Sequence, residues 1–267
     1  MKKWLFLISV TSLVLAALVL GGCAQSTSGT ITEAGSTTIQ PVAEKLAAAF
    51  KDKNPDITVT IQGGGSSVGI KSAADGTVDI GAASRELKPD EPKLVKHLLA
   101  RDGIAIVVHP DNSVTGLTKD QIIKIFAGEI TNWSEVGGCN GTITVIAREE
   151  GSGTRGAFEE MVMGETLITD KAILQPSNGA LRTSVSTTPL AIGFLSLGYI
   201  DSTVKTLAVD GVAPTQENSK SGKYPVVRPL YFLTKEQPTG SVKAFIDFCT
   251  GSEGQEIVQE EGYLSIR

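Results

Sequence analysis

Three short stretches of this 267-residue chain combine glycine with hydroxyl side chains in a pattern suited to holding an anion. They are Gly35-Ser36-Thr37-Thr38, Gly63-Gly64-Gly65-Ser66-Ser67 and Gly151-Ser152-Gly153-Thr154. Each lies between a segment that reads as a strand and one that reads as a helix. The first turn of a helix carries free N–H groups and a partial positive charge. Glycine lets an anion approach that backbone closely, and Ser and Thr hydroxyls add donors. One such turn is commonplace, because Ser and Thr caps after glycine are frequent. Three in one chain point to a single oxyanion site, provided the fold brings them together.

Charged residues stand beside two of these turns. Arg148 precedes the third, in Arg148-Glu149-Glu150-Gly151, and its planar guanidinium fork suits a tetrahedral oxyanion. Pairing with Glu149 or Glu150 on the surface is the alternative use of that side chain. Arg85, just after the segment Asp79 to Ser84, is a second candidate cation with the same alternative. Glu150 is a sharper clue. A carboxylate beside an anion is repulsive unless the anion carries a proton to give it. Phosphate near neutral pH still does and sulfate does not, so an acidic acceptor would favour phosphate and reject sulfate. Gly65-Ser66-Ser67-Val68-Gly69 also matches G-x-S-x-G, with Ser67 as the nucleophile of a serine hydrolase. That chemistry needs a histidine base. The chain has only His97 and His109, and no hydrolase order of Ser, acid and His follows. No G-x-x-x-x-G-K-[ST] string marks a nucleotide site.

The elements that must position these residues alternate. Strands are expected over 30–34, 57–61, 79–83, 104–108, 142–147, 191–196, 203–209 and 230–233. Helices are expected near 42–50, 68–74, 92–100, 119–127, 155–163, from a cap at Ser177 or Asn178 to about 187, and 240–249, with a C-terminal segment after them. Gly211 to Pro225 reads as a surface loop. The alternation predicts an α/β architecture with mixed, mostly parallel sheets. The last forty residues rejoin the first half, which divides the chain into lobe 1 (30–108 with 230–267) and lobe 2 (109–229) around a cleft. The apolar residues Leu117, Ile122, Ile123, Ile125 and Phe126 are read as core, and Trp133 as core or lobe-surface packing.

Composition narrows the function classes. A formal net charge of −5 argues against nucleic acid as the partner. Two His and three Cys without a C-x-x-C spacing argue against a metal site, and no cofactor is expected. Lys2 and Lys3 precede an apolar run from Trp4 to Leu20 and the string Leu20-Gly21-Gly22-Cys23. Residues 1–22 therefore read as an export signal, with Cys23 in the place of a lipidated first residue, and 23–29 as a flexible tether. Loss of residues 1–22 removes two of the 24 basic residues, leaving 22 against 29 acidic ones and a net charge of −7. Cys139 and Cys249 either pair in an oxidising compartment or stand as free thiols.

At the level of motifs the chain resembles the phosphate-binding proteins of phosphate-specific ABC transporters, within the type II periplasmic-binding-protein fold. The resemblance runs along the whole mature chain. It is carried by Ala34 to Thr38 with Pro41, Gly63 to Gly69 followed by Lys71, Asp79 to Ser84, Ile130 to Trp133, and Arg148 to Thr154. It implies a two-lobed, non-enzymatic receptor, exported, lipid-anchored through Cys23 on the outer face of the cell membrane, and monomeric. Such a receptor captures inorganic phosphate and hands it to permease subunits. The implied ligand residues are Thr37, Thr38, Ser66, Arg148, Glu150, Ser152, Gly153 and Thr154, with Ser36, Ser84 and Arg85 completing the expected set. Best-known members carry an Asp that accepts the phosphate proton after the Ser matching Ser84. Here Arg85 stands there, which leaves Glu150 as the expected acceptor. A sulfate or molybdate receptor is the runner-up, and a hydrolase using Ser67 stands far behind.

Overall fold

The structure, a computed structural model, describes residues 29–267, so the expected export signal, most of the tether and Cys23 lie outside the described residues. In chain order the elements are β1 (Gly29–Gly35), α1 (Gln40–Lys53), β2 (Ile57–Gln62), α2 (Ser66–Asp75), β3 (Ile80–Ala83), β4 (Val95–Val108) and β5 (Gly116–Leu117). Then follow α3 (Lys119–Ala127), β6 (Thr144–Arg148), α4 (Gly153–Phe158), β7 (Ile173–Gln175), α5 (Asn178–Ser186), β8 (Ala191–Ser196) and β9 (Lys205–Val209). The chain closes with α6 (Gln216–Lys220), β10 (Val227–Thr234), α7 (Gly240–Thr250) and α8 (Ser252–Glu260). Local sequence explains most of these limits. Pro41 sits in the first turn of α1, where its missing N–H costs nothing, and Lys51 and Lys53 face the negative end. Thr118 and Gln121 form a reciprocal capping box at the start of α3, and Gly128 in the left-handed region ends it.

The strands run in the order β2-β1-β3-β10-β4-β8-β6-β7. Both wings are parallel: β2-β1-β3 on one side and β8-β6-β7 on the other. The centre is antiparallel, because β10 pairs with β3 and β4, and β4 pairs with β8. Two cores result. One gathers Ile31, Leu46, Phe50, Leu99, Phe232 and Phe245. The other gathers Ile106, Phe126, Trp133, Phe158 and Phe194, with Phe158 and Phe194 stacked at 4.3 Å. Trp133 is fully buried there, and its indole N–H donates to the Leu190 carbonyl at 3.0 Å.

Among the described residues β4 and β10 are the strands that contribute to both main cores. β4 leaves the first after Ala100 and joins the second at Ile104. β10 makes the reverse passage between Val227 and Leu230. Core membership thus changes several residues before the boundary expected at 108. At this double passage Asp102 and Arg228 lie opposite one another in register.

Two expectations fail for physical reasons. Residues 92–100 are not a helix, since Val95 to Ala100 form the first half of β4. Leu94, Leu98 and Leu99 mimic helical spacing because the β4–β10 register shifts at Leu230/Tyr231, and such a bulge breaks the alternation that marks a strand. Pairing with β10 then overrides local propensity. Gly211 to Pro225 is not simply a surface loop either. It contains α6, capped by Thr215, and Tyr224 is buried with its hydroxyl donating to the Ile104 carbonyl at 2.8 Å. Cys139 is exposed and Cys249 is buried; both are free thiols, and burial pushes the Cys249 thiol well up.

Candidate oxyanion-binding site

The three Gly/Ser/Thr turns meet. Gly65 N–H donates to the Gly35 carbonyl at 2.8 Å, joining the first turn to the second. Ser67 N–H donates to the Gly151 carbonyl at 3.1 Å, joining the second to the third across the gap between the cores. Gly35 has φ +140°, and a Cβ there would lie 2.3 Å from the Ala82 carbonyl oxygen. Gly153 is the tightest approach: a Cβ would fall 2.1 Å from Ser66 Oγ and 2.4 Å from Ser84 Oγ. Within the first turn Ser36 Oγ accepts from Thr38 N–H at 3.2 Å. Two tyrosines hold the same turn from outside, Tyr199 donating to the Thr37 carbonyl at 2.6 Å and Tyr263 to the Thr38 carbonyl at 2.7 Å. Burial pushes the Tyr199 phenol up to about 12.

The hydroxyls point at one another. Thr38 Oγ1 and Thr154 Oγ1 are 3.1 Å apart. Ser66 Oγ accepts from Ser84 N–H at 3.0 Å. Ser152 Oγ caps α4 by accepting from Arg155 N–H at 3.2 Å. All of these side chains are buried, and they come from both cores.

Arg148, at the end of β6, is 2 % exposed. It donates to the Gln175 and Pro176 carbonyls at 3.0 and 2.8 Å and to Thr37 Oγ1 at 3.3 Å. Among the described residues no carboxylate pairs with it, and the surface pairing with Glu149 or Glu150 does not form. Burial, and then the charge of Arg228, bring its guanidinium down to about 10. Surplus positive charge is therefore held in a place that water barely reaches.

Arg228, Asp102 and Asn178 escaped the sequence reading. Arg228 donates through Nε and Nη2 to Asp102 Oδ2 at 3.1 and 2.8 Å. Its Nη1 reaches the Ser84 carbonyl at 2.9 Å and Ser84 Oγ at 3.3 Å, and Nη2 reaches Thr38 Oγ1 at 3.1 Å. Burial raises the Asp102 carboxyl above its ordinary value, opposed by Arg228 and by donors from Ser196 and Leu197. Asn178, the first residue of α5 after its cap Ser177, donates to Thr38 Oγ1 at 2.9 Å. The available signal was a lone Arg inside the apolar strand Val226 to Leu233, and a fourth strand-to-helix turn at Ser177-Asn178.

Two expected residues are not brought to this cluster. The fork of Arg85 is filled by Glu91 at 2.6 and 2.8 Å, with further bonds to the Glu86 carbonyl at 2.8 Å and to Ser67 Oγ at 3.2 Å. Its stem packs against Gly156 of α4. Glu150 is exposed and forms no hydrogen bond or ion pair among the described residues. A solvated carboxylate cannot serve as a buried proton acceptor, because water offers its own hydrogen bonds at no cost. Ser67 has no histidine partner. His97 bonds Thr234 at 2.9 Å and His109 bonds the Asp111 N–H at 3.2 Å. Among the described residues no cluster of His, Cys, Asp or Glu could hold a metal ion.

The PBP superfamily domain model matches residues 24–253. Phosphate-binding protein PstS of Bacillus subtilis is 34% identical over 248 residues, covering 91% of this chain and 82% of that protein. The chain belongs to the PstS family. PstS of Borreliella burgdorferi is 32% identical over 282 residues and matches both chains end to end. A Clostridium perfringens structure, described as a phosphate ABC transporter substrate-binding protein with bound phosphate, superposes with TM-score 0.87 at 42% identity. It covers 90% of this chain and 100% of its own. An ABC-type phosphate transport receptor from Vibrio cholerae gives TM-score 0.75 at 35% identity, over 88% and 99% of the two chains. The fold is thus the type II fold of periplasmic phosphate-binding proteins, and these PstS relatives are binding proteins and transport receptors, not enzymes.

Proposed function

We propose that this chain is the extracytoplasmic receptor of a phosphate ABC transporter, a lipid-anchored monomer that captures inorganic phosphate and delivers it to permease subunits. One observation carries the ligand reading. Two buried guanidinium groups, Arg148 and Arg228, stand within reach of hydroxyls contributed by both cores, and Asp102 neutralises only one of them. An anion between the cores would relieve the repulsion that lowers Arg148 and would give every hydroxyl an acceptor. The residues proposed to face it are Thr37, Thr38, Ser66, Ser84, Arg148, Ser152, Gly153 and Thr154. Ser36 shapes the first turn. Arg85 is given a role in closure, since it ties Ser67 to Glu91 and packs against α4. Donors from both cores on one ligand favour the closed form, which is the state a permease would read.

Export and anchoring rest on residues 1–23 and on family membership. Among the described residues no helix is long and apolar enough to cross a membrane; Cys23 is the proposed attachment point. Equilibrium dialysis tests the ligand: one phosphate per chain is expected, and no uptake would refute the reading. Mass spectrometry of the chain extracted from membranes tests the anchor. Loss of residues 1–22 with a lipid adduct on Cys23 is expected, and an unmodified Cys23 would refute it.

A further inference from the structure

Pro41 leaves a gap in the hydrogen bonds that open α1. On either side of the gap the helical pattern holds. Gln40 N–H donates to the Ser36 carbonyl at 3.0 Å, and Ala43 N–H to the Ile39 carbonyl at 2.9 Å. The same spacing assigns residue 41 to the Thr37 carbonyl, and proline has no N–H to give. A carbonyl so placed needs a donor from elsewhere once water is shut out. Its donor is Tyr199, whose hydroxyl reaches it at 2.6 Å.

This donor belongs to the other side of the cleft. Tyr199 ends a single 3-10 turn, Leu197–Tyr199, that follows β8. Leu197 and Ile200, on either side, pack against the cluster of Leu181, Val185 and Leu195. Arg182 of α5 fastens the turn, donating to the Tyr199 carbonyl at 3.2 Å and pairing with Asp201 at 2.9 Å. Arg148, on the same side as Tyr199, meets Thr37 Oγ1 at 3.3 Å. Thr37 is thus gripped from across the cleft at both its side chain and its backbone. Tyr263 differs, because it packs in the same core as α1 while donating to the neighbouring Thr38 carbonyl at 2.7 Å. Its bond does not depend on the two sides meeting, whereas that of Tyr199 does.

We infer that Tyr199 is a positioning residue for phosphate capture, a latch that ties the first Gly/Ser/Thr turn to the second lobe through the carbonyl that Pro41 leaves open. The inference rests on the phosphate reading above and deepens it. The one phenolic proton is spent on Thr37, so Tyr199 acts through the turn and not on the ligand. Opening the cleft breaks this bond and strands a carbonyl that has no helical partner to fall back on. The cost therefore falls on ligand release, since the bond forms only after the anion has entered and the lobes close.

The test uses inorganic phosphate with the wild type, Tyr199→Phe, Pro41→Ala and the double variant. Calorimetric titration gives affinity, and chasing bound radiolabelled phosphate with unlabelled phosphate gives the release rate. Tyr199→Phe should weaken binding about 5- to 10-fold, with release faster by the same factor and the association rate unchanged. Pro41→Ala restores an N–H to the Thr37 carbonyl, so in that background the effect of Tyr199→Phe should shrink to about two-fold or less. A general structural role would lower the ligand-free melting transition and would not depend on residue 41; the ligand-free melt of Tyr199→Phe is expected near wild type. Wild-type affinity and release in Tyr199→Phe, a loss carried by the association rate, or an equal loss in both backgrounds would overturn the inference alone. A wild type that binds no phosphate would overturn the phosphate reading and this inference with it.

Discussion

Glu33 shows what the fold tolerates next to the first Gly/Ser/Thr turn. It lies on β1, two residues before Gly35, with 1 % exposure and with Oε2 unpartnered among the described atoms. Burial, helped by the charge of Glu44, raises its carboxyl well above the ordinary value. The folded protein therefore keeps a proton that the unfolded chain releases above the usual carboxylate range. Its contribution is fully present below that range and is lost as pH rises toward the folded value. Glu33→Gln should accordingly raise the thermal transition at about pH 8, by roughly 1 kcal/mol of stability, and change little near pH 4. Melting curves across that range check this; a gain that is equal at both ends would contradict it. At the same scale, the site chemistry divides into what sequence could and could not reveal. Arg148 and the Ser/Thr turns were legible because residue type and local spacing carry their chemistry. Asp102 and Arg228 are 126 positions apart, and Thr38 and Asn178 are 140 apart. Only strand register and lobe contact bring such pairs together. Glu150 is the opposite case: it stands in the motif beside Arg148, but its exposure leaves no trace in the sequence.

Among the elements, the turns matter more than the helices they open. Gly153 starts α4 and presses its bare Cα against Ser66 and Ser84 of the other core. Gly153→Ala would place a methyl where two hydroxyls now stand, so the lobes could not close fully around a ligand. Phosphate affinity is expected to fall about 100-fold or more, close to 3 kcal/mol, with the ligand-free melt near wild type. Affinity within a few-fold of wild type would contradict the contact. Strand-to-helix alternation was readable along most of the chain because apolar periodicity is local. β4 was not, since its bulge and its long pairing with β10 are tertiary. β7 was missed because three residues at a sheet edge, with Ile173 and Leu174 exposed, leave no periodic trace.

For the molecule as a whole, two cores joined by two antiparallel strands suit the proposed closure, and the Gly/Ser/Thr turns lie where the cores meet. The chain is acidic, at a net charge of −5 in full, and the proposed loss of residues 1–22 would leave 22 basic and 29 acidic residues, a net charge of −7. Long-range steering will not help an anion arrive, so affinity must come from the local dipoles and the two buried guanidinium groups. Among the described residues the carboxylate in the cluster, Asp102, is occupied by protein donors, so discrimination between phosphate and sulfate should be narrower than a free buried acceptor would give. The most direct test is calorimetric titration of the wild type and Arg148→Ala with phosphate, sulfate and molybdate under one set of conditions. One phosphate per chain is expected, with weaker binding of the other two anions and a loss of about 100-fold or more in Arg148→Ala. Preferred binding of sulfate or molybdate, or an Arg148→Ala variant with wild-type affinity, would contradict it.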